Sequence, residues 1–167
     1  QFMTRFGIYD TKQIVMIDGG SGVNTVPEDT VVSILNHCKS AGMAPSNAAH
    51  PIKQLENWKN PEELRGVAGG KTVPLLGSVV IELKCLEVGK PITHNCHTIQ
   101  VRFKICSSGS TDWAPMIIGA KAIDCAERGG LGHVPAPRHH FMGALGIMME
   151  RVEDAYLQRQ GSVYAIN

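Results

Sequence analysis

The chain has 167 residues, 43% of them hydrophobic and 19% charged, and its 16 Lys plus Arg against 15 Asp plus Glu leave a formal net charge of +1. That length holds one good core but not two ordinary domains, and the balanced charge supplies no field that would gather nucleic acid or an anionic membrane. The longest apolar stretches, "VVIEL" and "MIIGAKAI", fall far short of the roughly 20 residues a membrane-spanning helix needs, so a soluble protein with no membrane span and no nucleic-acid partner is expected.

The chain opens on "QFMTRFGIYD", with neither an initiator Met nor the charged and apolar regions of a signal peptide. A processed or excised piece of a longer chain, such as part of a polyprotein, fits that start. From Lys12 to Ile17, "KQIVMI" is short, β-branched and apolar, and predicts a strand feeding the loop "DGGSG". After the loop, "VPEDTVVSILNHCKSAG" sets two acids behind Pro27, then Val31, Val32, Ile34 and Leu35, then Lys39 and Gly42. That order predicts a helix over 28–40, its acids at the positive end. Residues 43–65, with three prolines and many polar residues, read as an irregular surface segment with at most one helical turn.

The next block, "GVAGGKTVPLLGSVVIELKC", has Gly66, Gly69, Gly70 and Gly77 between β-rich runs, the pattern of a glycine-tipped hairpin. In "HTIQVRFKIC", Ile99, Val101, Phe103 and Ile105 alternate with Gln100, Arg102 and Lys104, so one face is buried and the other wet. The run Met116 to Ile118 precedes Gly119 and a short helix-compatible stretch. In the tail, Phe141, Leu145, Met148 and Val152 keep helical spacing while Leu145, Ile147 and Met149 alternate. Its state is open between helix and strand.

Asp18 at a strand end before three glycines is, taken alone, an ordinary Asp turn. The order of elements adds to it: apolar-apolar-Asp18-x-Gly20-Ser21 with Val26-Pro27 following, then the glycine-tipped hairpin, then apolar-apolar-Gly119. That order resembles the retropepsins, the retroviral and retrotransposon type of aspartic protease, over residues 10–126. The matching positions of the active loop are Ile17, Asp18, Gly20, Ser21, Val26 and Pro27. "GVAGGKTVPLLGSVVIEL" resembles the family's flap, with Gly66, Val67, Gly69 and Gly70 at its substrate-binding tip, and Ile117, Ile118 and Gly119 resemble the segment that packs beneath the active loop.

The resemblance implies a mainly β, retropepsin-like acid-protease barrel with one or two helices: a domain over 1–126, and a C-terminal extension or interface segment over 127–167. It also implies Asp18 as the catalytic carboxylate of a dyad formed by two copies, supported by Gly19, Gly20 and Ser21, with peptide or protein substrates and no metal or other cofactor. One position departs from the pattern. Gly19 stands where the family has Ser or Thr, whose hydroxyl links the two loops, and losing such a buried bond costs about 1–3 kcal/mol per subunit. Ser21 and Asn24 stand close enough to be candidates for compensation. Two further readings therefore stay open: a catalytically silent domain held by unlike protein subunits of a larger assembly, and a module that binds extended peptides without cutting them.

The remaining chemistry-bearing residues have plainer readings. His94, Cys96 and His97 in "THNCH" lack a second pair at metal spacing and suit a solvated turn. His139 and His140 read as surface residues, and Trp58 and Trp113 as packing anchors. Cys38, Cys85, Cys96, Cys106 and Cys125 are odd in number and form no CxxC pair. Reduced thiols in an intracellular or organellar compartment are expected, with Cys106 and Cys125 buried rather than nucleophilic. The methionines of the tail, Met142, Met148 and Met149, suit either an adaptable contact surface or core packing.

Overall fold

The computed structural model describes residues 2–65, 72–91, 96–108, 115–119, 140–142 and 148–152. The chain starts as a hairpin in which β1 (Phe2–Ile8) pairs antiparallel with β2 (Thr11–Asp18), from Phe2 opposite Ile17 to Ile8 opposite Thr11. In β2 the successive residues Ile14, Val15, Met16 and Ile17 are all buried. Val15 and Ile17 face the main core, whereas Ile14 and Met16 pack with Met3 and Val152 on the opposite face. A strand covered on both faces reads as an unbroken apolar run instead of an alternation.

β3 (Thr25–Pro27) leads directly into α1 (Glu28–Ser40), which occupies the range the sequence predicts. The helix buries Val31, Ile34 and Cys38 and begins at Pro27 without a side-chain cap of its own. Instead the Asp29 N–H donates to the Ser108 hydroxyl at 2.9 Å, satisfying one of the open donors of the first turn. At the other end Gly42, at φ +74°, lets the chain turn back, and Met43 N–H donates to Cys38 O at 3.0 Å.

Residues 43–65 are not irregular throughout. Ile52–Leu64 form a strand, β4, paired antiparallel with β5 (Val73–Cys85). β4 is exposed at nearly every position, so it carries no apolar alternation, and Pro61 lies in an interruption where pairing jumps from Asn57 to Glu62. That bulge turns Trp58 onto a small cluster of Leu64, Val73, Leu75 and Cys106. Gly77, which in sequence looks like a turn glycine, lies inside β5 opposite Asn57. A Cβ there would run into the Glu56 carbonyl oxygen, so the site needs a residue without a side chain.

β5 pairs antiparallel with β6 (Thr98–Cys106), whose Val101, Phe103 and Ile105 are buried while Gln100 and Arg102 face water. β3 runs parallel to β6 and meets β7 (Met116–Gly119) at Thr25 opposite Ile117, and β7 runs parallel to β2. Because Phe6 and Gly7 of β1 pair with Cys85 and Lys84 of β5, strands β5, β6, β3, β7, β2 and β1 form a closed ring. Closure leaves those strands without free edges. Phe6, Val15, Val79, Leu83, Phe103, Met116 and Ile118 fill the interior at 0% exposure, each stabilising the fold by about 1.5–3 kcal/mol.

Two strands lie beyond the ring on the side of β1. β8 (His140–Met142) pairs with β9 (Met148–Val152), and β9 pairs antiparallel with β1 through Met3 opposite Val152 and Thr4 opposite Arg151. The tail is therefore extended over His140–Met142 and Met148–Val152, while Leu145 and Ile147 lie outside the described residues. Met149 enters the main core at 1% exposure, and the buried Thr4 hydroxyl donates to Glu150 O at 2.7 Å.

A candidate active loop

Asp18 is the last residue of β2, half-buried, and lies opposite Gly119 in the parallel β2–β7 ladder. The chain turns immediately behind it. Gly20 N–H donates to Asp18 Oδ1 at 2.9 Å and Ser21 N–H donates to Asp18 O at 3.1 Å, so the side chain braces its own turn. Ser21 Oγ then donates to Val23 O at 2.8 Å. Gly19, Gly20 and Gly22 are exposed. The loop thus carries a carboxylate at a rigid strand end beside backbone with no side chains in the way.

The loop crosses over β7 at Gly119. A Cβ on Gly119 would lie 2.6 Å from Ser21 O and 2.7 Å from Val23 O, so a glycine there is a condition for the loop's path. Ile117 pairs with Met16 and Ile118 with Ile17; Ile118 is fully buried and Ile117 half-buried. The three β7 residues singled out in the sequence are therefore side by side with the end of β2 that carries Asp18. Asn24 fastens the far end. Its Oδ1 accepts from Gly119 N–H at 2.8 Å, its Nδ2 donates to Arg102 O at 3.0 Å, and its carbonyl accepts from Lys104 N–H at 2.9 Å. The sequence marks Asn24 only by proximity to Asp18, since nothing local signals partners 78 and 95 residues away.

Of the two candidates to replace a missing hydroxyl at Gly19, Ser21 bonds to Val23 O and Asn24 to Gly119 N–H and Arg102 O. A Cβ at Gly19 would have nothing within 4 Å, so the position has room for the side chain it lacks.

The glycine-tipped hairpin predicted for the flap corresponds to β4–β5. Its tip residues Gly66, Val67, Gly69 and Gly70 lie outside the described residues, as do Trp113, Cys125, His94 and His139. The arm itself is tied down on its β6 side: Lys104 Nζ sits 5.9 Å over the Trp58 ring and 3.6 Å from Glu62, and Arg102 donates to Gln54 Oε1 at 2.8 Å. Trp58 is thus a packing anchor.

Among the described thiols, Cys38, Cys85 and Cys106 are buried. Burial, joined by the neighbouring Cys96, pushes Cys85 up to about 11, and burial also raises Cys106. Cys106 Sγ contacts Val26 O at 3.5 Å. Raised, buried thiols are poor nucleophiles. Among the described residues no three His, Cys, Asp or Glu side chains are grouped to hold a metal ion, and no helix is long and apolar enough to cross a membrane.

A closed ring in which a loop bearing one acid is carried between β2 and β3, with β7 threaded between those strands, defines a retropepsin-like fold. The crystal structure of the retroviral protease-like domain of Ddi1 from Leishmania major is similar to this chain with a TM-score of 0.53, covering 92% of this chain and 94% of that one. The two sequences are 12% identical, a level at which the likeness concerns the fold. No protein-family model and no curated protein matches the chain.

Proposed function

We propose that the chain is one subunit of a homodimeric aspartic endopeptidase, with Asp18 and its counterpart in a second copy as the catalytic dyad. The observation that carries this reading is the placement of Asp18 at the end of β2, opposite Gly119, on a loop held by Ser21 and Asn24. A single carboxylate cannot both activate water and polarise a carbonyl. Two carboxylates at contact distance share one proton, because both cannot ionise together. The ionised member draws a proton from water, and the protonated member donates to the oxygen of the scissile carbonyl. Gly19, Gly20 and Ser21 support that loop, and Ile117, Ile118 and Gly119 pack under it.

The β4–β5 hairpin serves as the flap, its tip at Gly66, Val67, Gly69 and Gly70 closing over an extended peptide by main-chain hydrogen bonding. We take residues 1–126 as the protease-like domain and 127–167 as a segment that adds to its surface and interface, a reading supported by β9 lying beside β1.

One observation favours a second reading. Gly19 offers no hydroxyl to a partner loop, and the nearby Ser21 and Asn24 are engaged at home. A silent domain, held singly by unlike subunits or binding peptides uncut, follows if the two loops do not join. Cleavage of a broad peptide pool by wild type and Asp18→Asn, with oligomeric state read on the same samples, separates the two. A dimer that cuts and a mutant that does not supports the endopeptidase; a monomer that cuts nothing removes it.

A further inference from the structure

Resting on that reading, we infer that Asn24 is the positioning residue of the active loop, holding Asp18 in place through the backbone of Gly119. The geometry leaves a specific task for it. β3 meets β7 only at Thr25 opposite Ile117, so two residues further along β7 the N–H of Gly119 has passed the end of that pairing. Val23, which a continued antiparallel ladder would set opposite Gly119, instead brings its carbonyl oxygen to 2.7 Å from where a Gly119 Cβ would stand and accepts from the Ser21 hydroxyl. Asn24 Oδ1 accepts from the Gly119 N–H at 2.8 Å in place of a strand carbonyl. Its Nδ2 donates to Arg102 O at 3.0 Å, so the amide spans β6 and β7. Because Gly119 lies opposite Asp18 in the β2–β7 register, this one side chain ties the neighbour of the reactive acid to the body of the ring.

The two roles of the amide make a selective test. A protonated Asp at position 24 keeps both bonds, with its carbonyl oxygen accepting from Gly119 and its O–H donating to Arg102 O. Once ionised, that carboxylate has only acceptors and faces the Arg102 carbonyl with like polarity. Asn24→Asp therefore should cleave like wild type at the acid end and lose activity at lower pH than wild type as pH rises, the alkaline limb moving by about one pH unit or more. Asn24→Leu, similar in size without either bond, should lower kcat by about tenfold to a hundredfold at every pH with KM within about threefold.

Amide exchange at Gly119, followed by NMR on the same full chains, reads the tie independently of turnover: protection should fall in Asn24→Leu and, above the acid range, in Asn24→Asp. Unchanged Gly119 exchange in Asn24→Leu, or a wild-type pH profile in Asn24→Asp, overturns the positioning role. Wild type that cuts no peptide, with Gly119 protection still lost in Asn24→Leu, overturns the protease reading while the tie itself stands.

Discussion

The Asp18 loop and the β4–β5 arm are built by opposite means. The loop after Asp18 is short, polar and largely exposed, yet it is fixed by side-chain bonds from Ser21 and Asn24 and by carbonyls seated on Gly119. The arm is longer and its ladder is broken by register shifts, and β4 is solvated along nearly its whole length and rests on the sheet through Trp58, Lys104 and Arg102. A segment with few buried apolar contacts opens locally more easily than one whose groups are locked into the ring. In the proposed endopeptidase the fixed loop positions the acid and the looser arm closes over the substrate.

The strongest way to break that contrast is to place a methyl group at the glycine each region depends on. Gly119→Ala should destabilise the chain by about 3 kcal/mol, because two backbone carbonyls of a clamped loop oppose the new Cβ. Gly77→Ala should cost about 2 kcal/mol, since the Glu56 carbonyl it meets belongs to an edge strand that can shift outward. Urea midpoints decide the order. A larger loss at Gly77 would mean that the arm is the more rigid of the two.

Trp58→Ala should follow, at about 1–2 kcal/mol, because the ring is half-buried on a small satellite cluster. Limited proteolysis should then cut faster within 52–64 and leave 18–24 unaffected; equal acceleration in both would join the two regions into one cooperative unit. Where the arm enters the ring, Cys85 adds a pH dependence. Its thiol is raised in the folded chain above the ordinary 9.0 to about 11, so the fold holds that proton more tightly than the unfolded chain does. The contribution is fully present below about pH 9 and is lost as pH rises toward about 11. Cys85→Ala should flatten stability over that interval, measured by denaturation at fixed ionic strength.

The smallest effect on the subunit is expected at Gly19. A Cβ at that position would have nothing within 4 Å, and its φ is not positive, so Gly19→Ser should change subunit stability by no more than about 0.5 kcal/mol. In the proposed dimer the same hydroxyl should raise the dimeric fraction, read by sedimentation. No change in association would show that position 19 does not face a partner loop.

How much of this was legible in the sequence depended on where each segment buries its residues. β6 and α1 announced themselves because apolar residues recur at the period of the element that buries them, and β2 and the Met116–Gly119 segment because each is a short unbroken apolar run. β4 did not, since a strand exposed on both faces has no apolar period and Pro61 reads as a breaker. Gly77 misled in the same way: a glycine required by close backbone approach looks in sequence like a glycine required by a turn. Asp18, Gly20 and Ser21 stood out because they lie within four consecutive residues. Asn24 and Ser108 act on residues far along the chain, and only the folded register brings their partners within reach.

The central claim is that Asp18 is a working half of a symmetric dyad, and peptide cleavage tests it most directly. Wild type and Asp18→Asn would be compared on the same peptide pool from about pH 3 to about pH 7, the span over which a proton-sharing carboxylate pair changes state, with mass measured in each sample. The account predicts acid-favoured cleavage by a dimer, abolished in Asp18→Asn. Cleavage that survives Asp18→Asn, or a monomer that cuts nothing at any pH, would contradict it.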